Sequence, residues 1–229
     1  MNSVEPVYNS IRRRIAAAAE ATSANADVRL LAVSKGQSVG AIRALAALGQ
    51  RAFGENYMQE ARAKQDELAN LALEWHLIGP LQSNKCREVA QRFDWLQSLD
   101  REKLIDPLTR HRPPERAALN VLIEVNIDDE PGKAGCAPHQ VQQLAEQITA
   151  APHLRLRGLM AIPDPHPHPG ERRAAFVRLR GVFENLRSEY SSVDTLSMGM
   201  SEDFELAIAE GATMVRIGTA LFGPRLPRR

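Results

Sequence analysis

Eight short runs of apolar, β-branched or aromatic residues recur along the chain, near residues 29–34, 51–53, 74–78, 93–97, 119–125, 154–160, 194–197 and 213–217. Successive runs begin 19 to 40 residues apart, which leaves room in every gap for a helix and two loops. The intervening stretches carry helix punctuation. "VGAIRALAALGQ" closes on Gly49, "APHQVQQLAEQITAAP" is bracketed by proline, and a further helix is expected from about Glu171 to Tyr190. Strand and helix alternating eight times predict an α/β fold of the (β/α)8 barrel type, with an extra helix over roughly residues 3–24 before the first strand. An open doubly wound sheet is compatible with the same alternation, but no G-x-G-x-x-G follows a strand to favour a dinucleotide there. The 229 residues are read as a single domain.

Composition narrows the partners. With 44% hydrophobic and 25% charged residues and a net charge of +1, the chain reads as an ordinary globular protein, with no electrostatic case for nucleic acid or an anionic membrane surface. Cys86 and Cys136 lie far apart without metal-ligand spacing, so a reducing, cytoplasmic setting is expected. The N-terminus lacks an apolar signal core, and nowhere do about 18 apolar residues run uninterrupted. His166 and His168, in the proline-rich "IPDPHPHPGERR", are expected on a solvated loop.

A (β/α)8 barrel builds its active site at the C-terminal ends of its strands, so unusual residues at those positions carry functional weight. Lys35 ends the first apolar run in "VRLLAVSKGQ". It is one of only five lysines among 29 basic residues, and a primary amine can form a Schiff base where arginine cannot. "SMGMS" and "RIGTA" fall after strands seven and eight, where such barrels often bind phosphate. Gly199 and Gly218 would let backbone approach the anion, Ser197, Ser201 and Thr219 would add hydroxyls, and a helix starting near Ala220 would direct amides at it. Ser201 is equally placed to cap the helix "EDFELAIAEG". Arg216 sits inside the apolar "TMVRIG", where a permanent cation needs a partner such as an aromatic ring nitrogen. An aldehyde-reactive lysine, a phosphate cradle and a buried arginine together describe a pocket for pyridoxal 5'-phosphate (PLP).

The blocks "LLAVSK", "FGENYMQEA", "EWHLIGPLQSNK", "LIEVNI", "LRGLMAIP" and "TLSMGMSEDFELAIAEGATMVRIGTALFG" span nearly the whole chain and resemble the PLP homeostasis family, also called the YggS or PROSC family. The resemblance implies a barrel like the N-terminal domain of alanine racemase (fold type III), with PLP held as an aldimine on Lys35. It implies that Ser201, Gly218 and Thr219 hold the phosphate, with Ser197 as a further contact. Arg216 would approach the pyridine nitrogen, and Asn56 and His76 would line the cofactor's surroundings. Two residues depart from the family pattern: Gly36, where threonine is frequent, and Pro80, where histidine or arginine is common.

An arginine beside the pyridine nitrogen leaves the ring neutral and the electron sink weak, whereas a carboxylate would keep it protonated. Only seven residues follow Phe222, so no second, lid-forming domain is expected. These features suit a monomeric, non-catalytic protein that keeps PLP available and delivers it to apo-enzymes. The alternatives are a PLP-dependent racemase or decarboxylase and a cofactor-free Schiff-base aldolase. Lys133, in the glycine-containing "EPGKAGC", is expected to assist PLP exchange at the barrel mouth.

Overall fold

The computed structural model describes residues 4–22, 27–164 and 168–223. Eight parallel strands close into a barrel in sequence order, with β8 pairing back onto β1. They are β1 (Arg29–Val33), β2 (Ala52–Glu55), β3 (Glu74–Leu77), β4 (Trp95–Leu99), β5 (Leu119–Glu124), β6 (Leu154–Met160), β7 (Thr195–Ser197) and β8 (Met214–Ile217). Around them run α1 (Val4–Glu20), α2 (Val39–Ala47), α3 (Met58–Glu67), α4 (Cys86–Arg92), α5 (Ile105–His111), α6 (Val141–Ala150), α7 (Pro169–Glu189), α8 (Phe204–Ala209) and α9 (Thr219–Phe222). The expected barrel is the observed one, and the β1–β8 pairing excludes the open sheet.

Local chemistry explains most element ends. In α1, Pro6 falls in the first turn, where its missing N–H has no helical partner to lose, and Tyr8, Ile11 and Ile15 form the buried stripe. The Ser38 hydroxyl accepts the Ala41 N–H to open α2, and Gly49 turns the chain out of it at φ +96°. β4 starts two residues later than the apolar run suggests, because Phe93 closes α4 through its N–H to Val89 O. Asp94 then fixes the strand entry, its carboxylate accepting the Trp75 N–H at 2.9 Å. β2 extends through Glu55, beyond the expected strand, because that carboxylate is buried against Lys64.

Side chains alternate between two cores. Leu30 and Ala32 face the helices, whereas Leu31 and Val33 join Ala52, Ile78 and Met214 inside the barrel, and Trp95, Leu122 and Met160 fill its other half. Between β5 and β6 the register shifts at Val121/Leu122, opposite Gly158 at φ +140°. A Cβ on Gly158 would stand 2.0 Å from the Thr195 carbonyl oxygen, so the shift brings β6 backbone against β7 at a distance only glycine permits. Gly158→Ala should therefore lower the unfolding free energy by about 2–4 kcal/mol in urea denaturation, far more than an ordinary strand glycine substitution. A loss under about 1 kcal/mol would show that the bulge relaxes freely.

Candidate functional site

Lys35 follows the end of β1 and lines a cavity of about 330 Å³ at the C-terminal mouth of the barrel. Asn56, Ser201, Arg216, Gly218 and Thr219 line the same cavity, so six of the eight residues expected at a cofactor converge there. Val33 and Ile78 continue its lining from inside the barrel.

The backbone around Lys35 is held by a second lysine that sequence reasoning passed over. Lys64 of α3 is buried, and its Nζ donates to Ser34 O at 2.6 Å, to Glu55 Oε1 at 2.8 Å and to Glu60 Oε1 at 2.6 Å. Glu60 Oε1 also accepts the Gly36 N–H at 2.5 Å, and the Ser34 hydroxyl donates to Glu55 Oε1 at 2.5 Å. Both neighbours of Lys35 are thus fastened to one ionic cluster. Burial pushes the Glu55 carboxyl above its usual range against the pull of Lys64. Gly36, one of the two departures from the family pattern, joins this clamp through its amide.

Arg216 rises from β8 into the dry interior, where backbone carbonyls and Ser197 satisfy its guanidinium. Nη1 donates to the Ser197 carbonyl and hydroxyl, both at 2.8 Å, and Nη2 donates to Ala161 O at 2.8 Å. Three of its five N–H donors are so engaged, which leaves two to serve the cavity. Burial lowers its pKa to about 10, against the opposing pull of Glu124 and Asp203.

Ser197 and His76 occupy different places from those expected. Neither lines the cavity; both are fully buried beneath it in a column of hydrogen bonds along the barrel interior. The Ser197 hydroxyl donates to Gln97 Oε1 at 2.7 Å, and Gln97 Nε2 meets His76 Nδ1 at 2.9 Å. His76 Nε2 meets Glu74 Oε1 at 2.7 Å, and Arg29 donates to the same oxygen at 2.5 Å. His76 sits two residues below Ile78 along β3, hence one interior layer too deep for the mouth. Its ring stacks on Trp95 with centroids 5.1 Å apart.

The column has one consistent direction of donation. Burial drives the His76 pKa down despite Glu74, so the ring is neutral. Burial also resists the charge on Glu74, but the hydrogen bond from His76 and the Arg29 cation outweigh it and hold that carboxyl below its usual range. With Glu74 ionised, His76 Nε2 must carry the proton, and Nδ1 then accepts from Gln97. Gln97, which no sequence signal marks, links the imidazole to the support of Arg216. Its replacement by leucine leaves His76 Nδ1 and the Ser197 hydroxyl without their partner. Gln97→Leu should cost about 2–4 kcal/mol and, in ¹⁵N NMR, leave the His76 ring Nε2-protonated because Glu74 still accepts that proton; a shift to the Nδ1-protonated ring would mean that Gln97 selects the tautomer.

The loops after β7 and β8 also differ in detail from expectation. Gly199 has φ +87°, and a Cβ there would stand 2.5 Å from the Ala207 Cβ, so α8 packing demands the glycine. Ser201 does not cap α8, whose N-cap is Asp203. Its hydroxyl instead accepts the Ala220 N–H at 3.3 Å and ties the loop after β7 to α9. Lys133 is not part of the cavity wall and pairs with Glu130, in a loop braced by Asn126 Nδ2 to Glu130 O at 2.9 Å. Pro80 is exposed, as is His168, while His166 lies outside the described residues.

Glu124, on β5, is a second group that the linear pattern did not flag. Burial, reinforced by Asp100 and opposed by Arg216, pushes its carboxyl from the usual 4.5 up to about 7. Between those values the folded chain holds a proton that the unfolded chain releases. Stability from neutral Glu124 is therefore complete below about pH 4.5 and lost as pH rises through about 7. Glu124→Gln should leave urea stability unchanged at about pH 4 and raise it at about pH 8, by on the order of 3 kcal/mol. An equal effect at both pH values would mean that Glu124 titrates normally.

A barrel with a lysine and an arginine at its mouth defines a class before it defines a protein. The chain matches the family "Alanine racemase, N-terminal domain" over residues 8–226. It is 50% identical to the pyridoxal phosphate homeostasis protein of Pseudomonas aeruginosa, across 98% of this chain and 97% of that one. It is 45% identical to the Escherichia coli protein of the same name, across 98% of each. The solved structure of PipY from Synechococcus elongatus with PLP bound superposes with a TM-score of 0.80 at 39% identity, covering 92% of this chain and 99% of PipY. The chain belongs to the pyridoxal phosphate homeostasis protein family, within the alanine racemase N-terminal domain fold.

Proposed function

We propose that this protein binds PLP at the barrel mouth, holds it covalently as a Schiff base on Lys35 and keeps it available to apo-enzymes without turning over amino acids. The observation that carries this reading is one cavity shared by Lys35, Arg216 and the Ser201–Gly218–Thr219 cluster. The residues present fit the cofactor. Arg216 keeps two N–H donors unused, and Asn56 Oδ1 is a buried acceptor with no partner of its own. PLP supplies an aldehyde that condenses with a primary amine and a phosphate that needs donors.

Each residue then has a definite task. Lys35 supplies the amine, and the Lys64–Glu60 clamp limits where its backbone can go. The hydroxyls of Ser201 and Thr219 and the Gly218 amide receive the phosphate. Arg216 donates to the ring nitrogen, steadied from below by Ser197, Gln97 and His76. A guanidinium cannot accept a proton there, so it leaves the ring nitrogen an acceptor and favours holding the cofactor over stabilising carbanions. The names of the relatives and the PLP-bound PipY structure support the same reading.

The test begins with purified protein incubated with PLP. Wild type should gain a Schiff-base absorbance band that borohydride fixes onto the peptide carrying Lys35. Lys35→Ala should lose the band and keep its circular dichroism, because alanine offers no amine and the clamp beneath it is untouched. A band of wild-type strength in Lys35→Ala, trapped mainly on another lysine, would overturn the assignment.

A further inference from the structure

The cavity at Lys35 has a second wall that the proposed cofactor contacts leave unused. Arg172, near the start of α7, and Ile162 and Met200, from the loops after β6 and β7, line it together with Glu202 and Asp203. Arg172 Nε is buried and makes no hydrogen bond. A buried guanidinium N–H without an acceptor is costly and calls for a ligand to satisfy it. Beside it, Ile162 at 38% and Met200 at 37% exposure are two of only five exposed large hydrophobic residues among those described. The cofactor contacts proposed above leave this guanidinium donor and this apolar pair unassigned.

We propose that Arg172, Ile162 and Met200 form a subsite for an α-amino acid with an apolar side chain. The reading rests on the PLP site proposed above and names the class of small molecule that meets the cofactor there. The carboxylate pairs with the Arg172 guanidinium, whose planar fork suits carboxylate geometry. The side chain covers Ile162 and Met200, removing both from water. The ammonium faces the acidic side of the cavity, where Glu202 is exposed and Asp203 already accepts the Met200 N–H at 2.7 Å. Opposite charges lining one cavity match a zwitterion. The proposed phosphate cluster lies on other elements, in the loops after β7 and β8, so Arg172 of α7 is not needed to complete it.

Calorimetric titration of the full-length protein, PLP-free and PLP-loaded, with L-leucine, L-leucinamide and glycine tests the subsite. On wild type, leucine should bind about tenfold to a hundredfold more tightly than leucinamide, the value of one charge-assisted hydrogen bond to the carboxylate. Arg172→Gln should erase that preference while PLP affinity stays unchanged, and Arg172→Lys should restore part of it. Ile162→Ser combined with Met200→Ser should weaken leucine and spare glycine. Equal binding of leucine and leucinamide by wild type would overturn the proposal. So would an Arg172→Gln protein that loses affinity for PLP but not for pyridoxal, since the guanidinium would then serve the phosphate. Absence of a Lys35-dependent absorbance band on loading defeats the PLP reading instead, and the PLP-free titrations still decide whether Arg172 selects carboxylates.

Discussion

Arg216 is a permanent cation inside a barrel whose interior is otherwise largely filled by apolar side chains, among them Leu31, Ile78, Met214, Trp95 and Met160. An unpaired charge in such surroundings costs several kcal/mol, comparable to the net stability of a small domain. The fold offsets that cost with donors and acceptors at fixed depth: the carbonyls of Ser197 and Ala161, the Ser197 hydroxyl, then Gln97, His76 and Glu74 beneath. Because these links are buried, each has to be satisfied by the next. The column therefore ties β3, β4, β7 and β8 together as well as aiming the guanidinium at the mouth.

The same logic operates under Lys35, where a buried cation is again the centre of a fastening. Glu55 and Glu60 repel each other, and Lys64 between them turns the cluster into an anchor for Ser34 and Gly36. Lys35 then stands on a fixed base, which suits the proposed role of holding a ligand. Both arrangements place rigid supports beneath the mouth and leave the contacts themselves to strand ends and loops. Loops positioned by a scaffold are the usual location of binding function.

Residues that the linear pattern misplaced were misplaced in depth rather than in chemistry. His76 and Ser197 were recognisable as polar residues in apolar strands, and both belong to the apparatus around Arg216. Only the inward alternation along β3 and β7 puts them below the cavity. Lys64 shares the rarity that singled out Lys35, but it lies in the polar helix α3, where a lysine is ordinarily solvated. Gln97 and Glu124 carried no local signal, since a single polar residue in a strand reads the same whether its partner is water or a buried side chain. Gly199 also makes room for α8, a demand that the linear pattern does not show.

By itself the sequence determined the eightfold alternation, the family resemblance, and the placement of Lys35, Arg216 and Thr219 at or near strand ends. These follow from the strand and helix periodicities and from residue types whose chemistry has few substitutes. Tertiary structure decided which polar side chains face the cavity and which support it from below. It also decided that Glu55 and Lys64 are buried together, and that Arg172 of α7 shares a cavity with Lys35, far from it in sequence. The physical reason is closure: only when β8 pairs with β1 do side chains from distant strands meet in one dry interior, and their hydrogen bonds are then chosen by depth and register, which a linear pattern does not encode.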